Sequence, residues 1–219
     1  MSRIRREEVL RYLRYSGQNM TASLENMIDE CIEQCEALCR LRYTSKIFDI
    51  KGTDEDGVAL CCGGLALKGQ SIVGNLYGAQ ACVIMAATAG IEIDEKINYL
   101  QKCDMARAVV MDACASEIIE TFVNEAQREI EEKIVPKNLG ERFSPGYGVF
   151  PRYIQHELLA CLSADKVIGL YCNDSFALIP RKSITAVIGI FNEYCGSMRE
   201  KCEKCFGFGT CPYKKAGKS

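Results

Sequence analysis

Apolar residues recur along this chain in two rhythms, one helical and one extended. In 21–40, Leu24, Met27, Ile28, Cys31, Ile32, Cys35, Leu38 and Cys39 fall on one helical stripe behind Thr21, a residue type that caps helix N-termini. A shorter helix is expected over 7–15. Residues 41–50 alternate and read as a strand ended by the acidic turn Gly52-Thr53-Asp54-Glu55-Asp56-Gly57; that turn lacks the oxygen-ligand spacing of a calcium loop and reads as a solvated hairpin tip. Residues 58–62 suit a short strand broken by Gly63 and Gly64, and Ser71 a cap for a helix through Tyr77. The run 81–89 is apolar at nearly every position and reads as a buried strand stopped by Gly90.

A short helix over 93–100 leads to Asp104, which opens the longest helix, through about residue 133. Its first half is apolar almost all round and expects burial; 124–133 is charged and expects water. Asp112, Ser116 and Glu120 interrupt the apolar half at four-residue spacing, which puts them on one face, either as internal hydrogen-bonding groups or as the lining of a site. Pro136 ends this region. Pro151 starts a helix carrying Ile154, Leu158, Leu159 and Leu162, with the single histidine, His156, on its polar side. Strands are expected over 166–170, 175–179 and 184–191. Helices and strands joined by short turns, without regular alternation, define an α+β fold with a mixed, largely antiparallel sheet and long packed helices.

Composition narrows the function classes. At 219 residues the chain suits one domain with a small appendage: 1–194, of which 1–54 are the N-terminal helices and first strand, and a cysteine-rich tail over 195–219. A net charge of −2 supplies no basic excess for nucleic acid, and the basic residues at the two ends read as solvated termini. The longest apolar stretch, 79–89, is too short to span a bilayer and nothing resembles a signal peptide, so no membrane association and a cytoplasmic location are expected. The 14 cysteines are then expected as thiols. Cys31, Cys35 and Cys39 lie on one rigid helical line that does not wrap an ion, which favours core packing over metal binding.

The candidate chemistry lies in Arg142-Phe143-Ser144-Pro145-Gly146-Tyr147-Gly148. Arg142 offers a planar fork for a carboxylate. Gly146 and Gly148 let backbone approach a ligand or turn through positive φ. Pro145 stiffens the loop, and Tyr147 supplies a ring face and a hydroxyl. Such a loop can grip a small anionic or zwitterionic ligand, or simply turn, with its arginine capping the helix before it.

With Arg142-x-x-x-Gly146-Tyr147, then Pro151, Asp174-Ser175-Phe176-Ala177-Leu178-Ile179-Pro180, Lys182-Ser183 and Gly189, the chain resembles the activation (reactivation) domain of cobalamin-dependent methionine synthase in its short, free-standing form. The resemblance is strongest over 58–190 and weakest over the first fifty residues. It implies S-adenosylmethionine binding: Arg142 on the methionyl carboxylate, backbone around Ser144 and Gly146 at the adenosine end, Tyr147 supporting the ligand and Ser175 as a further contact. No residue acts as acid or base; the ligand is positioned for methyl transfer to an oxidised cobalamin, and the cofactor carries the hard chemistry. Two features depart from the family. The upstream acidic residue that faces the ligand has no assignable match, leaving Asp104, Asp112 or Glu120 as substitutes. The Asp-x-His-x-x-Gly motif of corrinoid carriers is absent, so cobalamin is expected on a corrinoid-binding methionine synthase partner, with a flavodoxin-like or ferredoxin-like electron donor.

Cys202-x-x-Cys205, Cys211 and Cys195 form a thiolate set suited to zinc or an iron–sulfur cluster, or else a tail of reduced thiols. The sequence thus leaves three readings: an activation component of a methyltransferase system, an iron–sulfur redox activator of a corrinoid protein, and a non-catalytic docking subunit.

Overall fold

The computed structural model describes residues 2–60 and 64–192. Helices α1 (Arg6–Tyr12) and α2 (Ala22–Leu38) precede strands β1 (Arg42–Thr53), β2 (Gly57–Leu60) and β3 (Ala66–Lys68). There follow α3 (Gln70–Asn75), β4 (Ala81–Thr88), α4 (Ile91–Cys103), α5 (Met105–Ile134) and β5 (Asn138–Leu139). A 3-10 turn (Arg152–Ile154) leads into α6 (Gln155–Leu162) and α7 (Ala164–Ile168); β6 (Tyr171–Cys172), β7 (Leu178–Ile179) and β8 (Ser183–Phe191) close the described chain. The sheet runs β3-β2-β1-β4-β8-β5 with antiparallel neighbours throughout, and β6 and β7 form a separate ribbon. The fold is α+β, as the sequence implies.

The sheet divides the core in two because a strand's side chains alternate between faces. From β4, Ala81, Val83, Met85 and Ala87 enter one core with α1, α2, α4 and α5. Cys82, Ile84 and Ala86 enter the other, against α3, α6, α7 and Phe150. A strand covered on both faces must be apolar at every position, which explains the unbroken run in the sequence. The cap on Thr21 forms, its side chain accepting from the Leu24 N–H, and Asp104 caps α5 by accepting from Arg107. Cys31 and Cys35 are fully buried and Cys39 nearly so. The acidic turn is a hairpin tip in which Asp54 Oδ1 accepts from the Asp56 and Gly57 N–H groups.

Four expectations are corrected. Residues 166–170 are not a strand: α7 occupies most of them, bracketed by Ser163 and Gly169 at left-handed φ of 53° and 71°. Residues 175–179 are mostly a turn, because the Asn173 side chain accepts from the N–H groups of Ser175 and Ala177, and only Leu178–Ile179 is extended. Ser71 does not cap α3; the cap position is Gly69, and the Ser71 hydroxyl accepts from the Val149 N–H. The two halves of α5 are also less different than expected: Val123, Ala126 and Ile130 continue its buried stripe, while Val109 in the first half is exposed.

Candidate functional site

The glycine-rich loop is stitched to the sheet and then to α3. Phe143 and Val187 exchange backbone hydrogen bonds, each 2.9 Å, which docks the start of the loop on β8. Tyr147 N–H donates to Ser144 O, Gly146 N–H to Phe150 O at 2.7 Å, and Phe150 N–H to Tyr147 O, so the loop closes on itself. Phe143 stacks on the buried Phe150 at 5.9 Å between ring centroids, and Tyr147 meets Phe143 edge-on. The two glycines are required here. Gly146 has φ of 94°, and Gly148, at 53°, lies so close to Ser71 Oγ that a Cβ would collide with it.

Arg142 leaves this loop and crosses to α5. Its Nη1 donates to Gln127 Oε1 at 2.8 Å, and Nη2 donates to Asn124 Oδ1 at 2.9 Å and reaches Glu120 Oε2 at 3.4 Å. These three bonds leave two of the guanidinium's five donors for another acceptor. Burial pulls the Arg142 guanidinium below its ordinary value, while the Glu120 carboxylate pushes it back up. It remains a cation, held at the meeting point of two chambers.

The first chamber, about 370 Å³, lies between the loop, α5, the start of β7 and the start of β8; Arg142, Ser144, Pro145, Tyr147, Leu178 and Thr185 are among its walls. Gln155 also faces it, accepting from the Thr185 hydroxyl at 2.6 Å. The second chamber, about 680 Å³, shares Glu120, Arg142 and Tyr147 and runs along α5 to α1, which contributes Glu8, Arg11 and Tyr12. Its charges are paired: Arg11 with Glu8 at 2.8 Å, Arg5 with the buried Glu117 at 2.9 Å, and Lys182 with Asp112 at 2.9 Å. Lys182 also donates to Ser116 Oγ at 2.9 Å, fixing the loop before β8 against α5. The lining as a whole is zwitterionic.

Of the sequence-derived site residues, Arg142, Ser144 and Tyr147 face the first chamber, and Gly146 shapes the loop that presents them. Ser175 stands apart, exposed in the turn between β6 and β7 and not part of either chamber's lining. Asp112 and Ser116 bond to Lys182 and Glu120 to Arg142, and all three also line the second chamber. Asp104 caps α5 instead. Asn124 and Gln127 escaped the sequence reading. Asn124 continues the four-residue polar spacing of Asp112, Ser116 and Glu120, and that continuation was the available signal. The wall made by α1 had no local signal.

His156 takes no part: its Nδ1 pairs with Cys172 Sγ at 3.2 Å and its ring meets Phe176 edge-on. Cys195, Cys202, Cys205 and Cys211 lie outside the described residues, as does the expected tail unit. Among the described residues no group of three or more His, Cys, Asp or Glu side chains is placed to hold a metal, and no helix is long and apolar enough to cross a membrane. With its cations and anions spread along one groove, the arrangement can bind and orient a small zwitterion that has a flat or apolar portion.

The site and fold define an α+β domain with a composite groove beside a glycine-rich loop. The fold is that of the MetH reactivation domain: a crystal structure of that domain bound to AdoHcy matches with a TM-score of 0.66, covering 93% of this chain and 80% of that chain at 13% sequence identity. No protein-family model matches the chain. No curated protein sequence matches it.

Proposed function

We propose that this chain binds S-adenosylmethionine in the Arg142 groove and serves as the activation component of a cobalamin-dependent methionine synthase or a related corrinoid methyltransferase. The observation that carries the reading is the placement of Arg142. The motif arginine of the loop stands half-sheltered at the junction of the two chambers, with donors to spare, on a chain with the fold of a domain crystallised with AdoHcy. Two unused guanidinium donors suit a carboxylate. The Glu120 carboxylate, which lines both chambers and is open to water, suits an ammonium or sulfonium charge. Pro145, Leu178 and the Tyr147 ring on the wall of the first chamber offer the apolar surface that a flat base needs.

No side chain in the groove is arranged as an acid–base pair. The role of these residues is to hold the methyl donor by its amino-acid end and leave its methyl group facing a partner that carries the corrinoid, and cobalamin would supply the methyl-accepting metal. Titration calorimetry with S-adenosylmethionine and with AdoHcy tests the reading: one molecule of either should bind per chain, and binding should fall in Arg142→Ala. Absence of heat and of competition with both ligands would overturn it. The partner role has its own readout, co-elution with a corrinoid protein and a ligand-dependent change in the cobalamin spectrum.

A further inference from the structure

One buried side chain in the wall of the first chamber has only half of its hydrogen bonding satisfied. Gln155 opens α6 and is 7% exposed, and it lines the first chamber but not the second. Its Oε1 accepts from the Thr185 hydroxyl at 2.6 Å. Among the described residues no acceptor meets its Nε2, and that nitrogen is not sealed in the core. A primary amide carries two N–H donors on that atom, and a sheltered donor without an acceptor is costly. Ser183, in the same wall, differs: its hydroxyl is already engaged with Pro180 O and Thr88 Oγ1. Gln155 therefore presents free donors to whatever fills the chamber.

Rigid elements hold this amide in place. Ile154 before it, and Leu158 and Leu159 after it, are buried in the core on that side of the sheet. Thr185, 2% exposed, belongs to β8 and pairs with Ala86 of β4 in the central ladder. The bond between Gln155 and Thr185 thus ties α6 to the middle of the sheet. It also sets which way the amide points, with the oxygen turned to the strand and the nitrogen left for the chamber. Pro145, Tyr147 and Leu178 give a flat ring its apolar surface, but apolar surface tells one ring from another only by shape. A fixed polar group in an apolar pocket is what selects by chemistry.

We propose that Gln155 is the residue that reads the base of the bound ligand, its Nε2 donating to an unprotonated ring nitrogen of adenine. The inference rests on the reading of the Arg142 groove as a site for S-adenosylmethionine and names the side chain that chooses the base. Arg142, shared by both chambers, takes the amino-acid end, which leaves the first chamber to the base. Of the adenine acceptors N1, N3 and N7, one faces Gln155. The bond to Thr185 makes that strand residue a positioning group for the contact.

The test is a calorimetric series on the full chain with AdoHcy and its 1-deaza, 3-deaza and 7-deaza analogues, each of which replaces one ring nitrogen by C–H. Wild type should bind one analogue about three- to tenfold more weakly than AdoHcy, the loss of one neutral hydrogen bond. Gln155→Leu should weaken AdoHcy by a similar factor and leave it equal to that analogue, while the other two analogues fall with AdoHcy. Gln155→Leu combined with Thr185→Val should behave alike. The double variant leaves no buried hydroxyl without its partner, so it serves where the single one does not fold. The inference is overturned if wild type binds all four ligands alike. It is also overturned if the variants weaken all four by one common factor, the result expected of a mere tie between α6 and β8, or leave AdoHcy binding unchanged. Failure of wild type to bind any of the four would instead remove the S-adenosylmethionine reading, and this inference with it.

Discussion

The first chamber is walled by the sheet and by a loop stitched into it; the second is walled by a seven-residue helix hung on carboxylates. Both meet at Arg142, yet different physics holds them. The loop wall is set by backbone hydrogen bonds to β8, by Phe143 against Phe150 and by two glycines that admit no other shape. The α1 wall rests on Ile4 and Val9 in the core and on two charged anchors, Glu117 under Arg5 and Glu36 under residues 2–4. Packing is insensitive to salt and pH, whereas ion pairs and carboxylate caps respond to both. One groove therefore has a stiff side and a tunable side.

The strongest challenge to that contrast is Phe150→Ala. The ring is 1% exposed, and its loss leaves a cavity beneath the loop. A cost of about 3–5 kcal/mol is expected for a buried Phe→Ala change, read as a lower urea midpoint with little change in slope. If the loop wall is part of the core, ligand affinity falls together with stability. A stable variant with unaltered unfolding would show that the loop is merely draped on the sheet.

Next comes Arg142→Ala, which removes a charge-assisted contact at the junction. Loss of about 1.5–3 kcal/mol, roughly ten- to a hundredfold in affinity for S-adenosylmethionine, is expected by calorimetry. Stability should change less than in Phe150→Ala, because Glu120, one of the acceptors left behind, is open to water and can be rehydrated.

How much of this contrast is legible in the sequence depends on which wall is considered. Long, periodic elements announce themselves: α2 behind Thr21, β4 as an unbroken apolar run and α5 behind Asp104. The stiff wall is also local, since Arg142 through Gly148 carry their chemistry within seven consecutive residues. Short apolar runs do not announce themselves. Residues 164–168 satisfy either period, and what decides for helix is a left-handed residue at each end, one of them the non-glycine Ser163. The turn at 173–177 is decided by a side chain, Asn173, which takes backbone donors that a strand would have used. The tunable wall is invisible because it is tertiary: Arg5 and Glu117 stand 112 positions apart, and neither carries a local signal that it will meet the other.

Arg5→Ala probes that wall. Burial lowers the Arg5 guanidinium pKa and the Glu117 carboxylate more than restores it, so the pair favours the charged arginine. Glu117, 1% exposed, keeps Thr121 as a donor after the substitution. Because Arg5 itself is half exposed, the cost should be about 1 kcal/mol. Added salt should shrink the difference between wild type and variant. A salt-independent loss would mean that the α1 wall is held by packing alone.

The gentlest test uses acid. Glu36 Oε1 accepts from Ser2 Oγ at 2.7 Å, from the Arg3 N–H at 2.6 Å and from the Ile4 N–H at 3.2 Å. Burial raises the Glu36 pKa, but these hydrogen bonds outweigh it and hold the carboxyl below its ordinary 4.5. A depressed folded-state pKa means that the stabilisation is complete above the ordinary value and is lost as pH falls through the folded one. The amides of Arg3 and Ile4 should therefore lose exchange protection as the pH falls below 4.5 and through the lowered Glu36 value, while Phe143 and Val187, which bond backbone to backbone, keep theirs. Because Ile4 and Val9 remain anchored in the core, the arm should fray from its first residues and leave α1 in place. Glu36→Gln should reproduce the fraying at neutral pH. If acid instead loosened Phe143 along with Ile4, the two walls would be one cooperative unit and the division of the groove would fail.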